Sequence, residues 1–286
     1  MVERITFLGT GGGRHTTMYQ SRCTGGMLFE HGDPTHYLHI DPGPGALTQM
    51  NRIHYDLGLT ESLIISHAHP DHYSDAPSVI EGMTRGGWEK KGHVYGSPTV
   101  IDGVDGLGPC LSKYHLGLPI SSSSFVPGDV LDIEGMKVDI CKAKHSDPYN
   151  VGFKFHTPFG MVSYLSDTEY TREIGEQYLG SRVLILPVTT PHENRIHYHM
   201  CTDDAVEIAE LVKPELCIFI HAGIVMLRQD PDRQAKMVED ATGVRTVSAR
   251  DLDVLDIETL EISKAKTYDD EMWFPDWAPD MPEAKH

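Results

Sequence analysis

Within six residues, His67-Ala68-His69-Pro70-Asp71-His72, the chain places three imidazoles and a carboxylate. The run follows residues 62–66, a short apolar stretch that reads as a buried strand. Alternation at the strand end sets His67 and His69 on one face. A turn at Pro70 can swing Asp71 and His72 toward a second point. Such a cluster is hard to place in a fold for packing reasons alone. A core must satisfy every buried imidazole, and a surface has no reason to concentrate them beside a buried strand. Imidazole and carboxylate together suit zinc, and also manganese or iron. A His-rich run alone binds metal loosely, so the fold must bring further donors from a distance.

The chain has the strands to do so. Residues 4–8, 26–31, 36–40, 62–66, 129–133, 136–142, 151–156, 160–165, 183–187 and 216–220 read as strands, with a last strand pair near Thr246 and Val254. Gly9 to Gly13 end the first strand and read as a tight turn needing positive φ. Helices are expected from about Ala46 to Ile53, over 75–83, after Thr202 as N-cap, and over 223–238. Residues 86–127, with Ser121-Ser122-Ser123-Ser124, carry little periodicity and read as a loop-rich lid or insertion. Two β-rich stretches, each closed by helices, fit one layered α/β domain over residues 1–263. An acidic, aromatic tail over 264–286 would dock on its own body or on a neighbouring subunit.

Charge bounds the substrate. Lys plus Arg total 24 and Asp plus Glu total 42, a net charge of −18 over 286 residues. Such a surface disfavours a broad nucleic-acid face, which needs cations to displace phosphate counterions. A small anion can still meet a local cationic site, and bound divalent ions would make one. The five cysteines are odd in number and lack C-x-x-C spacing, so they read as reduced thiols. The amino terminus is too short and charged for a signal peptide, and no apolar run approaches a membrane span. The expected location is the cytoplasm, with no membrane partner.

His-x-His-x-Asp-His after a strand resembles the signature of the metallo-β-lactamase superfamily, and the resemblance extends from near residue 3 to about residue 256. It implies a four-layer αββα sandwich. Asp41, in His39-Ile40-Asp41-Pro42-Gly43, resembles the aspartate that supports the metal loop. His145, Asp167 and His221, each beyond a strand, resemble the remaining ligands. The family pattern then implies His67, His69 and His145 on one metal ion, Asp71, His72 and His221 on the other, and Asp167 between them. Two divalent ions, zinc first and otherwise manganese or iron, would activate water as a metal-bound hydroxide. Asp71 and His199 are the expected catalytic side chains.

Phe7-Leu8-Gly9-Thr10-Gly11-Gly12-Gly13, with Arg22 and Gly25-Gly26, resembles the ribonuclease Z branch and its small-molecule phosphodiesterase relatives. In that branch a histidine before the equivalent helix assists the leaving group. That role falls to His199, with His192 and His197 as nearby alternatives. Ribonuclease Z enzymes insert a long tRNA-gripping arm between the third histidine and the bridging aspartate. Here only 21 residues separate His145 from Asp167, enough for two strands, so tRNA is not the expected substrate. The expectation is a phosphodiesterase acting on a small anionic molecule, as a homodimer by family analogy. Hydrolysis of an ester, thioester or lactone is the alternative, as is a metal-binding accessory protein without turnover. Oxidation chemistry at iron is disfavoured by His69, where diiron electron-transfer relatives usually carry Glu.

Overall fold

A computed structural model of the chain describes residues 1–269 and 273–277. Among the described residues, sixteen strands form two sheets. The first half supplies β1 (Val2–Phe7), β2 (Met27–Gly32), β3 (His36–Ile40), β4 (Ser62–Ile65), β5 (His93–Gly96) and β6 (Ser121–Ser124). The second supplies β7 (Val130–Ile133), β8 (Met136–Lys142), β9 (Val151–Thr157), β10 (Gly160–Tyr164), β11 (Ser181–Thr190), β12 (Met200–Cys201), β13 (Leu216–Ile220) and β14 (Thr246–Ser248). Then come β15 (Asp253–Asp256) and β16 (Ile262–Lys264). The order in one sheet is β16-β15-β1-β2-β3-β4-β5-β6, and in the other β14-β13-β11-β10-β9-β8-β7, with β12 paired to β11.

Period-two alternation gives each sheet two apolar faces. Ile5, Phe7, Phe29, Leu38 and Ile40 of the first sheet meet Val138, Phe153, Phe155, Val162 and Ile218 of the second in one buried cluster. The outer face of the first sheet is covered by helices Ala46–Arg52 and Ala76–Met83, through Met50, Val79, Ile80 and Met83. The outer face of the second is covered by helices Thr202–Val212 and Pro231–Thr242, through Ala205, Ile208, Ala235 and Val238. This is the expected four-layer αββα sandwich.

Several local expectations need correction. Residues 86–127 are not a free lid: β5 and β6 extend the first sheet, and the serine run pairs in parallel with β5. Backbone ladders need no apolar side chain at an exposed edge, so composition hid the strand. The strands at Thr246 and Val254 do not pair with each other; β14 joins β13, and β15 joins β1. Cys201, not Thr202, holds the N-cap position, and the Thr202 hydroxyl instead donates to Gln234 Oε1 at 2.7 Å. The helix expected over 223–238 is two helices, Ile224–Arg228 and Pro231–Thr242, because Pro231 lacks an amide donor and restricts Asp230.

The tail docks on its own body over its described part. Tyr268 and Trp273 stack on His54, the Trp277 indole donates to Asp56 at 2.9 Å, and Arg85 lies over the Trp277 ring. Residues 270–272 and 278–286 of that tail lie outside the described residues. No described helix is long and apolar enough to cross a membrane.

Candidate metal centre

The chemistry gathers at one end of the sandwich, where strand ends release their next residues. Asp41 follows β3, His67 follows β4, His145 follows β8, Asp167 follows β10 and His221 follows β13. Asp41, Ser166 and His221 adopt left-handed backbone conformations (φ 47°, 52° and 59°). A non-glycine residue takes that region at a cost, and such residues concentrate at functional sites. Here each turns the chain sharply off a strand and aims a side chain across the sheet ends.

All seven sequence-predicted ligands meet. Donor atoms of His67, His69, His145 and Asp167 lie within 4.8 Å of one another, as do those of Asp71, His72 and His221. Asp167 sits between the groups. Its Oδ2 is 3.9 Å from His67 Nε2, 3.7 Å from His145 Nε2 and 3.5 Å from His72 Nε2. Its Oδ1 is 3.1 Å from His221 Nε2, which is in turn 3.4 Å from Asp71 Oδ2.

The outward nitrogens of the rings are held by the scaffold. His72 Nδ1 contacts Asp41 Oδ2 at 3.0 Å, and His145 Nδ1 donates to the Tyr198 carbonyl at 2.9 Å. His221 Nδ1 contacts Thr189 Oγ1 at 2.9 Å, and His67 Nδ1 contacts Ser66 Oγ at 3.0 Å. The Ser66 hydroxyl donates to Asp41, so it accepts from His67. Each anchor fixes a tautomer whose Nε2 lone pair points inward. His69 is turned over: its Nε2 faces Ser146 Oγ, and its Nδ1 lies 3.1 Å from His145 Nε2.

The inward atoms fit a cation. His67 Nε2, His72 Nε2, His221 Nε2 and Asp167 Oδ1 are buried without a hydrogen-bond partner. Buried polar atoms are rarely left so. Five imidazoles and two carboxylates with their lone pairs turned together form a donor set suited to a divalent metal ion.

Electrostatics follows the same geometry. Burial, reinforced by His72 and His145, drives His67 well below the usual imidazole range. Burial acts on His72 in the same sense, but Asp167, Asp41 and Asp71 overcome it and hold that ring well above the range. Burial opposes ionisation of Asp167, yet His221, His72 and His199 keep its carboxyl well below the usual carboxylate range.

His199 stands at the open side. Its Nδ1 is 3.8 Å from Asp167 Oδ2 and 3.4 Å from Thr189 Oγ1, its ring stacks on His221, and its side chain is 20% exposed. Burial lowers its pKa to about 4, against the pull of Asp167. The alternatives lie elsewhere: His192 pairs with Asp203 at 2.6 Å, and the His197 side chain is 94% exposed.

Several supporting residues escaped the sequence reading. Buried Asp147 accepts from the Ala68 amide at 3.0 Å and from Thr99 Oγ1 at 2.7 Å, fixing the His67–His69 turn. The Tyr164 hydroxyl donates to Asp41 Oδ2 at 2.9 Å. Asp251 accepts from Thr10 and Cys23 and ties the glycine segment down. Asp147 lies only two residues beyond His145 and Tyr164 three before Asp167. Proximity to a ligand was the one signal available. The glycine segment is also not a positive-φ turn throughout. Among Gly9, Gly11, Gly12 and Gly13 only Gly13 has positive φ, while Gly9 and Gly12 are packed too closely for a side chain.

A family model described as a beta-lactamase superfamily domain matches residues 36–222. The chain is 35% identical over 252 residues to an uncharacterised protein of Methanocaldococcus jannaschii, covering 87% of this chain and 93% of the other. It is 31% identical over 145 residues to a ribonuclease Z of Methanosarcina acetivorans, covering 51% of this chain and 46% of that enzyme. Among solved structures, the metallo-beta-lactamase fold protein YhfI of Bacillus subtilis superposes with a TM-score of 0.75 at 19% identity, covering 89% of this chain and 99% of that one.

Proposed function

The chain belongs to the beta-lactamase superfamily, and from that premise we propose a metal-dependent hydrolase that cleaves a small phosphodiester with two divalent ions. One observation carries the reading: six side chains gather around Asp167, the inward atoms of His67, His72, His221 and Asp167 itself are buried without a partner, and His199 stands at the open side. His67, His69 and His145 would hold one ion, Asp71, His72 and His221 the other, and Asp167 both. Ions held there, zinc, manganese or iron, would supply Lewis-acid activation of water and of a phosphoryl oxygen.

The chain's own residues perform the rest. Asp41, Ser66, Tyr198 and Thr189 fix the ligand tautomers. His199 directs Nδ1 inward, which leaves Nε2 on the opposite ring edge, toward an adjoining cavity. An anionic substrate there raises the proton affinity of the ring. His199 can then pass a proton from Nε2 to the departing oxygen.

A small substrate is favoured over tRNA. Between His145 and Asp167 the chain forms only β9 and β10, joined through Pro158 and Phe159. No segment there projects to grip a polynucleotide, and the −18 net charge repels one. The similarity to ribonuclease Z, over about half of that enzyme, supports phosphodiester chemistry.

The test is turnover of bis-p-nitrophenyl phosphate, cyclic nucleotides and dinucleotides by protein loaded with zinc or manganese. The reading expects metal-dependent hydrolysis of at least one of them. Cleavage confined to thioesters or lactones would overturn it.

A further inference from the structure

Three segments surround a cavity beside His199: helix Gly13–Tyr19, the loop after β11, and helix Ile224–Arg228. The cavity measures about 310 Å³ and opens directly off the His199 ring. Ile196, Ile224 and Val225 give it apolar walls. Ile196 and Val225 remain 42% and 37% exposed, so apolar surface is left wet beside the proposed reaction centre.

Its charge is unlike that of the rest of the surface. The chain carries 42 acidic residues, yet among the described residues none lining this cavity is Asp or Glu. Arg14 and His15 line it instead. Arg4, Arg182 and Arg195, elsewhere on the surface, are held by carboxylates, so not every arginine is free to meet a ligand. Arg14 is exposed and has no carboxylate partner among the described residues. Its backbone is fixed, because the preceding Gly13 amide donates to Asp71 Oδ2 at 2.9 Å. The guanidinium therefore springs from a point one residue away from a proposed metal ligand.

We propose that this cavity seats the organic group flanking the scissile phosphodiester, and that Arg14 binds a second anionic group carried by the same substrate. The inference rests on the phosphodiesterase reading and narrows it. The substrate class is a small phosphodiester bearing an additional phosphate. A guanidinium takes a phosphate through two parallel hydrogen bonds, which an ammonium cannot copy. A cavity at the small end of ligand-pocket sizes holds one nucleoside-sized group, not an oligomer. Its apolar walls suit a base or another planar group.

The test compares two dinucleotides, diadenosine monophosphate and its 5′-phosphorylated form, as substrates of the full-length, zinc-loaded protein. The inference predicts a kcat/KM ratio favouring the phosphorylated probe by about tenfold, expressed mainly in KM. Arg14→Gln brings the ratio close to one, Arg14→Lys restores part of it, and Arg4→Gln, remote in β1, leaves it unchanged. A ratio that survives Arg14→Gln overturns the inference. Calorimetric titration with 5′-ADP and 5′-AMP reads the site independently of turnover. Wild type should bind ADP about tenfold more tightly than AMP, and Arg14→Gln should equalise them. Equal affinities in wild type would also overturn it. If nothing is hydrolysed but the ADP preference is present and depends on Arg14, the phosphodiesterase reading falls and the anion site stands.

Discussion

Gly12 packs against the imidazole of His221, so closely that a Cβ at position 12 would collide with the ring. The contact is held from both sides. Gly12 N donates to the Ala222 carbonyl at 3.2 Å, and Ala222 N donates to the Thr10 carbonyl at 2.9 Å. The glycine-rich segment after β1 is thereby a backing plate for the proposed ligand His221. Gly12→Ala must push His221 off Asp167 and Asp71. We expect a loss of metal affinity on the order of 10–100-fold, the range for disturbing the support of a ligand. Titration with a fluorescent zinc chelator measures it. Unchanged affinity would show that His221 does not hold metal.

Asp41 is the corresponding support for the histidine cluster. It receives the Ser66 amide at 2.7 Å, the Ser66 and Tyr164 hydroxyls, and His72 Nδ1. Asp41→Ala leaves these buried donors without an acceptor. The expected cost is about 3–5 kcal/mol, as for breaking a buried charged pair. Tyr164→Phe removes one donor and should cost only about 1 kcal/mol. Urea unfolding of both variants in chelator separates this structural role from metal binding.

His199 should matter in proportion to how poorly the product oxygen leaves. His199→Ala is expected to lower kcat on a dinucleotide by about 10²-fold or more. On bis-p-nitrophenyl phosphate, whose leaving group departs without a proton, the loss should be small. Metal content should stay unchanged, because the remaining donors do not depend on this ring. Equal losses on both substrates would remove the proton-transfer role.

His39 sets an acid limit on stability. Its ring is fully buried with neither nitrogen hydrogen-bonded, and burial lowers its pKa to about 3. The unfolded chain takes up a proton near the ordinary imidazole value of about 6.5, whereas the folded chain does not until about pH 3. The contribution is therefore intact above pH 6.5 and lost progressively as pH falls toward 3. The loss is up to about 1.4 kcal/mol per pH unit within that window. His39→Leu should flatten the decline in unfolding free energy between pH 6 and pH 4. A decline as steep as in wild type would assign the acid sensitivity to other groups.

Much of this fold and site was legible because the same residues carry both. Strand periodicity located most strands of the two sheets and missed β5, β6, β12 and β16. The placement of Asp41, His67, His145, Asp167 and His221 after apolar runs put them at strand ends. The serine strand β6 was missed because its hydrogen bonds run along the backbone and its side chains carry no apolar alternation. Asp147 and Thr189 were missed because one carboxylate or hydroxyl in a sequence gives no sign of the partner it meets in space. The glycines were assigned to a turn because sequence shows that a side chain is absent but not what occupies its place. At Gly12 that occupant is His221.

Asp167 is the carboxylate proposed to serve both ions. Elemental analysis of the purified chain, beside Asp167→Asn, tests this most directly. Wild type should carry two divalent ions per chain, and the variant should lose most of both, since Asp167 lies against histidines of both proposed ligand sets. One ion or none in wild type after zinc loading, or two retained by Asp167→Asn, would contradict it.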